Sequence, residues 1–197
     1  MTEPGLRERK KAKTRRLIQD VALRLFAEQG YDETTVDQIA AEAEVSPSTF
    51  FRYYPTKEDV VLADEYDASM MAALETIPPE TPVVEAFRSV LRGVFAQFFA
   101  VDRDVILERM RLVLETPALR SRIMTANHEI GQIYGGILAR SIGISTDDPR
   151  IAVAAGAMMG ALTAVLEQWV ADDGRGDLPA MMDDALAFLG TGLKIGA

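Results

Sequence analysis

The stretch from Thr35 to Lys57, TVDQIAAEAEVSPSTFFRYYPTK, constrains this chain more than any other, because nearly every turn in it carries its own stop or start signal. Thr35 and Gln38 have the Thr-x-x-Gln spacing of a capping box, so a helix starts at Val36. Val36, Ile39, Ala40 and Ala43 recur at helical spacing and give that helix one apolar side. Glu44 and Val45 make the turn. Ser46 can cap a second helix, and Pro47 fits its first position, where a missing N–H costs nothing. Pro55 disfavours helical geometry at Tyr54, so the second helix is short. Thr56 caps a third helix, with Lys57 in its first turn.

Two helices this short bury little alone. Joined by a tight turn they form the helix-turn-helix arrangement, whose second helix can enter a DNA major groove. That helix exposes Ser48, Thr49, Arg52 and Tyr53, all hydrogen-bond donors. Arginine can read guanine edges with two parallel bonds, while Ser, Thr and Tyr mostly hold phosphates. Lys57 suits a phosphate as a point charge. The spacing alone also fits a solvated helical hairpin in an all-helical protein.

From Leu25 to Val61 the sequence LFAEQGYDETTVDQIAAEAEVSPSTFFRYYPTKEDVV resembles the DNA-binding domain of the tetracycline-repressor (TetR) family of bacterial transcription regulators. Gly30, Thr35, Ile39, Ala40, Val45, Ser46, Tyr53, Tyr54 and Lys57 match the family pattern. The likeness covers roughly the first third of the chain. Two positions depart from it: Glu44 stands where the turn usually has Gly, and Phe51 stands where the recognition helix usually has Tyr. A left-handed residue at Glu44 would cost free energy, and Phe51 has no hydroxyl to give a phosphate. The set expected at DNA is Thr35, Ser46, Ser48, Thr49, Arg52, Tyr53 and Lys57.

Net charge over the 197 residues is −9, which by itself argues against nucleic acid. The charge is unevenly placed. Residues 1–57 hold ten Lys/Arg against nine Asp/Glu, and residues 58–197 hold eleven against twenty-one. Arg7, Arg9, Lys10, Lys11, Lys13, Arg15 and Arg16 cluster at the start, beside the helix-turn-helix, where salt-sensitive phosphate contacts fit. The acidic remainder would repel DNA and keep one end of the molecule near it. There are no cysteines, so neither disulfides nor thiolate metal sites. The charged N-terminus is unlike a signal peptide, and a cytoplasmic protein is expected.

The rest reads as helix throughout. A first helix should run from about Arg7 to Glu28, with Leu17, Ile18, Val21, Ala22, Leu25 and Phe26 as its apolar stripe and Gly30 as its stop. A connecting helix over 57–76 should pass through Val60, Val61, Tyr66 and Met70, ending before Pro78, Pro79 and Pro82. Domains of 1–56 and 57–197 follow. Thr81-Pro82, Thr116-Pro117 and Asp148-Pro149 each signal a cap followed by a helix, and Asp102 should begin another. The last helix should run from about Leu178 to Leu193. With no useful β-alternation the class is all-α, about nine helices.

Ile151 to Leu166 is apolar or small on every side apart from Thr163. Its sixteen residues fall short of the roughly twenty of a membrane span, so burial is expected, one side on its own core and the other on a second copy. Gly156 and Gly160 would allow close approach. Family likeness implies pairing through the last two long helices, and a wholly intramolecular core helix is the alternative.

Phe87, Phe95, Phe98, Phe99, Met110, Met124, Tyr134, Met158, Met159, Leu162 and Trp169 are large, adaptable apolar side chains. Residue by residue they are ordinary core. As a set on several helices, with His128, they also make the wall of an apolar ligand cavity. The resemblance implies such a cavity for a small effector. Arg109, Arg111 and His128 are the nearest groups to meet a polar head. A lone histidine is poor metal-site evidence, no Glu-x-x-His pair occurs, and no strand precedes a Gly-rich phosphate loop. No metal, no cofactor and no enzyme activity are expected. The expected protein is a homodimeric, ligand-responsive regulator, a repressor of a palindromic DNA operator that binds a small apolar or amphipathic effector and no membrane. An acidic helical adaptor that has lost its DNA is the alternative.

Overall fold

The computed structural model describes residues 5–63 and 66–194, apart from the side chains at 8, 66–68, 96–98 and 100–102. Nine helices and no strand occur among the described residues. The chain divides into two compact units. One comprises the residues up to Ala63 together with Glu115–Arg120, and the other comprises the remainder.

In the first unit, α1 (Leu6–Gln29) stops at Gly30, whose φ of 91° only glycine adopts without strain. α2 (Val36–Glu42) starts at a complete Thr35–Gln38 capping box. α3 (Pro47–Tyr53) starts at Ser46, whose hydroxyl accepts the Thr49 amide at 3.1 Å. α4 (Lys57–Leu62) starts at a second capping box, Thr56 with Asp59. Each cap contributes about 1 kcal/mol. Together they fix where three short helices begin.

Ile18, Ala22, Phe26, Ile39, Ala40, Phe50, Tyr54, Val60 and Val61 form the core of this unit, each at most 2% exposed. Burying Phe50 alone contributes about 2–3 kcal/mol. The apolar stripe of α1 is narrower than its sequence suggested. Leu17 is 45% exposed, and buried Gln19 takes the inward place. Its amide donates to the carbonyls of Val60 and Ala63, both at 2.9 Å.

Those two bonds accompany a correction. The connecting helix is not continuous over 57–76: α4 ends at Leu62, Ala63 is extended (ψ 128°), and α5 (Tyr66–Leu74) begins afresh. The Val60 carbonyl, which a continuing helix would engage four residues on, goes to the Gln19 amide instead.

In the second unit, α6 (Val83–Glu115) runs uninterrupted for 33 residues, so no helix starts at Asp102. Nothing between Val83 and Glu115 is a proline, and Asp is tolerated inside a helix that tertiary contacts sustain. Thr81 does not cap it. Its hydroxyl donates to the Pro78 carbonyl, and the Pro82 carbonyl accepts the first helical amide, from Ala86. α7 spans Pro117–Ser141, α8 Pro149–Ala171 and α9 Leu178–Gly190, shorter at its end than expected because Gly192, directly after the C-cap Thr191, turns left-handed (φ 78°). Asp148 and Asp177 cap α8 and α9 through their carboxylates.

α8 packs on α9. Ile151, Ala155, Met158 and Trp169 are buried on α8, and Leu178, Met182 and Leu186 on α9. Arg88 of α6 grips Asp183 of α9 with two bonds, at 2.9 and 2.8 Å, and Arg92 and Glu85 complete the network. Hydrogen bonds from Arg88 hold the Asp183 carboxyl below its ordinary pKa.

The stretch 151–166 is less buried in the chain than its composition suggested. Ala152, Val153, Gly156, Ala157, Gly160 and Ala164 face solvent, Val153 at 72% exposure. α8 is also longer than the apolar run, and its 23 residues are long and apolar enough to cross a membrane by length and composition. Length is therefore no argument against a span.

Candidate DNA interface and effector recess

The turn between α2 and α3 decides how α3 is presented. Glu44 adopts φ 53°, the left-handed conformation. Its amide reaches the Ala41 carbonyl at 3.1 Å, and the Val45 amide reaches Ala40 at 2.9 Å. This double bond pattern is the Schellman helix stop, usually built on glycine. The backbone bonds hold a glutamate in a place glycine would fill with less strain.

Beyond that turn α3 shows an exposed face of Ser46, Pro47, Ser48, Phe51 and Arg52, with Thr49 and Tyr53 half-buried. Ser46 Oγ lies 2.9 Å from both Ser48 Oγ and Thr49 Oγ1, so the three hydroxyls form one cluster. The Arg52 guanidinium rests over the Tyr53 ring, 5.4 Å from its centroid. Phe50 and Tyr54 point the opposite way, into the core, where the Tyr54 hydroxyl donates to the Arg15 carbonyl at 3.1 Å. Arg7, Arg9, Lys10, Lys11, Lys13 and Arg16 of α1 are exposed, and Arg15 is half-buried.

Two members of the expected DNA set have employment inside the protein. The Thr35 hydroxyl is engaged with Gln38, both its amide and its side chain. Lys57 is the more heavily engaged of the two. Its ammonium donates to the Tyr31 carbonyl at 2.7 Å and to Thr34 at 3.0 Å, and lies 4.0 Å from the Tyr31 ring centroid. At most one of its three protons is left for a phosphate. Lys57 ties the segment between α1 and α2 to the start of α4. Tyr31 extends the tie, its hydroxyl donating to Glu58 at 2.9 Å. Burial, then the bond to Glu58, pushes the Tyr31 phenol up. Burial raises the Glu58 carboxyl, but its backbone amide, Tyr31, Thr56 and Lys57 outweigh that and bring it below its usual range.

In the second unit, Phe87, Tyr134, Met158 and Met159 from the expected pocket wall meet around one recess, completed by Gly131, Gly135, Leu138 and Ala155. Its enclosed space is about 10 Å³, roughly room for one water, within about 210 Å³ that includes open solvent. The two glycines bring α7 against α8. A Cβ on Gly131 would lie 2.9 Å from Met159 Cγ, and one on Gly135 would lie 3.1 Å from Ile151 Cγ2.

Other expected wall residues lie elsewhere. Phe99 stacks on Phe95 and meets Trp169 edge-on, in a second aromatic cluster that includes the Arg103 guanidinium. Met110 is buried and Leu162 half-buried, and neither lines the recess. The Phe98 side chain lies outside the described residues. Met124 is 69% exposed, and exposed His128 pairs with Gln132, so neither is a wall residue. Both lie on the outward side of α7, one turn apart. Arg111 is committed to Asp173 at 2.8 Å, and Arg109 is half-buried.

Two family models match the chain. "Bacterial regulatory proteins, tetR family" covers residues 18–63, and "MftR C-terminal domain" covers 81–194. The chain belongs to the TetR family. It is 40% identical to the HTH-type transcriptional regulator TcmR of Streptomyces glaucescens, over 77% of this chain and 71% of that one. It is 29% identical to the putative mycofactocin biosynthesis transcriptional regulator MftR of Mycobacterium tuberculosis, over 94% and 93%. Among solved structures, Thermus thermophilus FadR, a TetR-family repressor in complex with lauroyl-CoA, is 28% identical with a TM-score of 0.55, covering 93% of this chain and 96% of that one.

As a TetR-family protein the chain is a ligand-responsive, DNA-binding transcription regulator. Regulators of this family bind DNA operators, act as dimers and bind small-molecule effectors. Among the described residues no group of three His, Cys, Asp or Glu side chains could hold a metal ion. The glycines of the recess carried a sequence signal: Gly131 and Gly135 are four residues apart on a helix, the spacing that puts both on one face.

Proposed function

We propose that this protein is a homodimeric cytoplasmic repressor, released from a palindromic operator by an elongated, mainly apolar effector of the acyl class. The reading rests on the recess beside Phe87, Tyr134, Met158 and Met159. Its lining carries no charged side chain, so an acyl chain fits it better than a sugar or nucleotide, whose polar groups would go unpaired. The likeness to a regulator crystallised with lauroyl-CoA supports the same class.

A recess with room for one water is far below the roughly 300 Å³ or more that a ligand site needs. In this reading the described conformation is the effector-free shape, and the effector selects another. Met158 and Met159 are unbranched and rearrange at low cost. An effector acts only through its differential affinity for the two shapes. In this reading residues 1–56 read DNA, with Ser46, Ser48, Thr49, Arg52 and Tyr53 at the duplex and Thr35 and Lys57 holding their geometry. The first unit's α4, residues 57–62, supports the DNA-reading part, and the second unit senses and dimerises. The exposed small-residue face of α8 pairs with a second copy, so Gly160→Leu should produce monomer in sedimentation.

Lauroyl-CoA and a fluorescent fatty-acyl analogue, each titrated with and without operator, test the effector. Coupling is reciprocal, so operator should weaken effector binding by the factor by which effector weakens operator binding. Equal affinity in the two titrations would separate the recess from DNA release.

A further inference from the structure

Phe51 is the one large apolar side chain on the outward face of α3, 51% exposed among Ser48 and Arg52. Its ring is not loose. Buried Phe50 meets it edge-on, with centroids 5.5 Å apart and planes at 86°. Phe51 lies one helical turn beyond Pro47 and Ser48, so all three share the side that projects from the unit. The neighbouring cation, Arg52, is drawn aside over Tyr53. What α3 offers at its centre is thus an oriented apolar surface flanked by a hydroxyl and a guanidinium.

In the major groove one group on the base edges is apolar, the C5 methyl of thymine, and apolar side chains including Phe contact it. We propose that Phe51 is a specificity-determining residue that reads a thymine methyl in each operator half-site. This rests on the regulator reading above. Phe51 then supplies sequence preference where a hydroxyl would have supplied a phosphate contact, and it leaves phosphates to the Ser46–Ser48–Thr49 cluster and to α1.

Binding sites are selected from random duplex by the full chain, and each thymine of the selected site is then replaced by deoxyuridine. That replacement removes one methyl and keeps every hydrogen bond of the pair. Made at one position in a single half-site it should weaken binding about fourfold, and about fifteenfold when made in both half-sites. Phe51→Ala should lose a similar factor on the thymine site and be indifferent to deoxyuridine, while Phe51→Leu should keep most of the penalty. Exposure at Phe51 makes both variants safe for folding, which circular dichroism verifies. Two results overturn the assignment while the regulator reading stands: no thymine whose methyl matters, or a deoxyuridine penalty that persists in Phe51→Ala. Failure of the folded chain to select any site sinks both.

Discussion

The two units of this protein are held together by different means. In the first, charged and polar side chains reach backbone carbonyls and amides at specific places: Gln19 on Val60 and Ala63, Lys57 on Tyr31 and Thr34, and Thr35, Ser46 and Thr56 on helix starts. In the second, long helices meet mainly through apolar surface and glycine contacts around a recess, joined by ion pairs that include Arg88–Asp183 and Arg111–Asp173. The difference suits the tasks. A DNA-reading helix needs a fixed pose, which directional bonds supply. A ligand-sensing bundle needs two packings of similar free energy, which non-directional apolar contacts permit.

Lys57→Met tests that division most severely. It leaves two carbonyls without their ammonium and should cost the first unit about 3 kcal/mol. The single tryptophan, Trp169, is buried in the second unit and reports on it alone. Calorimetry should show the first unit's transition fall while the Trp169 fluorescence midpoint holds. A matching fall in both would make the molecule one cooperative unit and erase the contrast.

Arg88→Met should reverse the pattern. Removing the forked partner of Asp183 should cost the second unit about 1–2 kcal/mol by Trp169 fluorescence, with Arg92 retaining part of the contact. Its pH dependence carries a sign. Asp183 has a lower pKa folded than unfolded, so its contribution is present above the unfolded value, about 4, and is lost as pH falls through the folded value. Wild type and variant should therefore converge in acid, and a gap that stays constant would mean that the pair is not the cause.

Glu44→Gly is the smallest effect and the only gain. Relieving a left-handed glutamate should stabilise the first unit by about 1 kcal/mol in urea denaturation. No gain would mean that the Schellman bonds relax the turn without glycine.

How far the sequence revealed this structure follows from the range of each interaction. Caps at Thr35, Ser46, Thr56 and Asp148 were legible because cap and target lie within a turn of each other. Gln19 and Lys57 were not, since their partners lie 41 and 26 residues away along the chain. The unbroken α6 was misread at Asp102 because a capping residue type signals a start only where the chain is free to turn. In the candidate recess, residue type pointed to Phe87, Tyr134, Met158 and Met159. Met124 and His128 failed because nothing in composition fixes the phase of α7, and its inward side carries Gly131, Tyr134, Gly135 and Leu138.

The glycine contacts between α7 and α8 also matter for engineering. Where Gly131 and Gly135 meet Met159, Ile151 and Ala155, the bare backbone of α7 rests directly on side chains of α8. The side chains at Phe87, Tyr134 and Met158 then occupy a frame they do not themselves define, whereas Met159 is part of it. A sensor library that varies those three positions and holds Met159 and both glycines fixed would sample new effectors on an unchanged scaffold, whereas one that varies the glycines would sample new scaffolds.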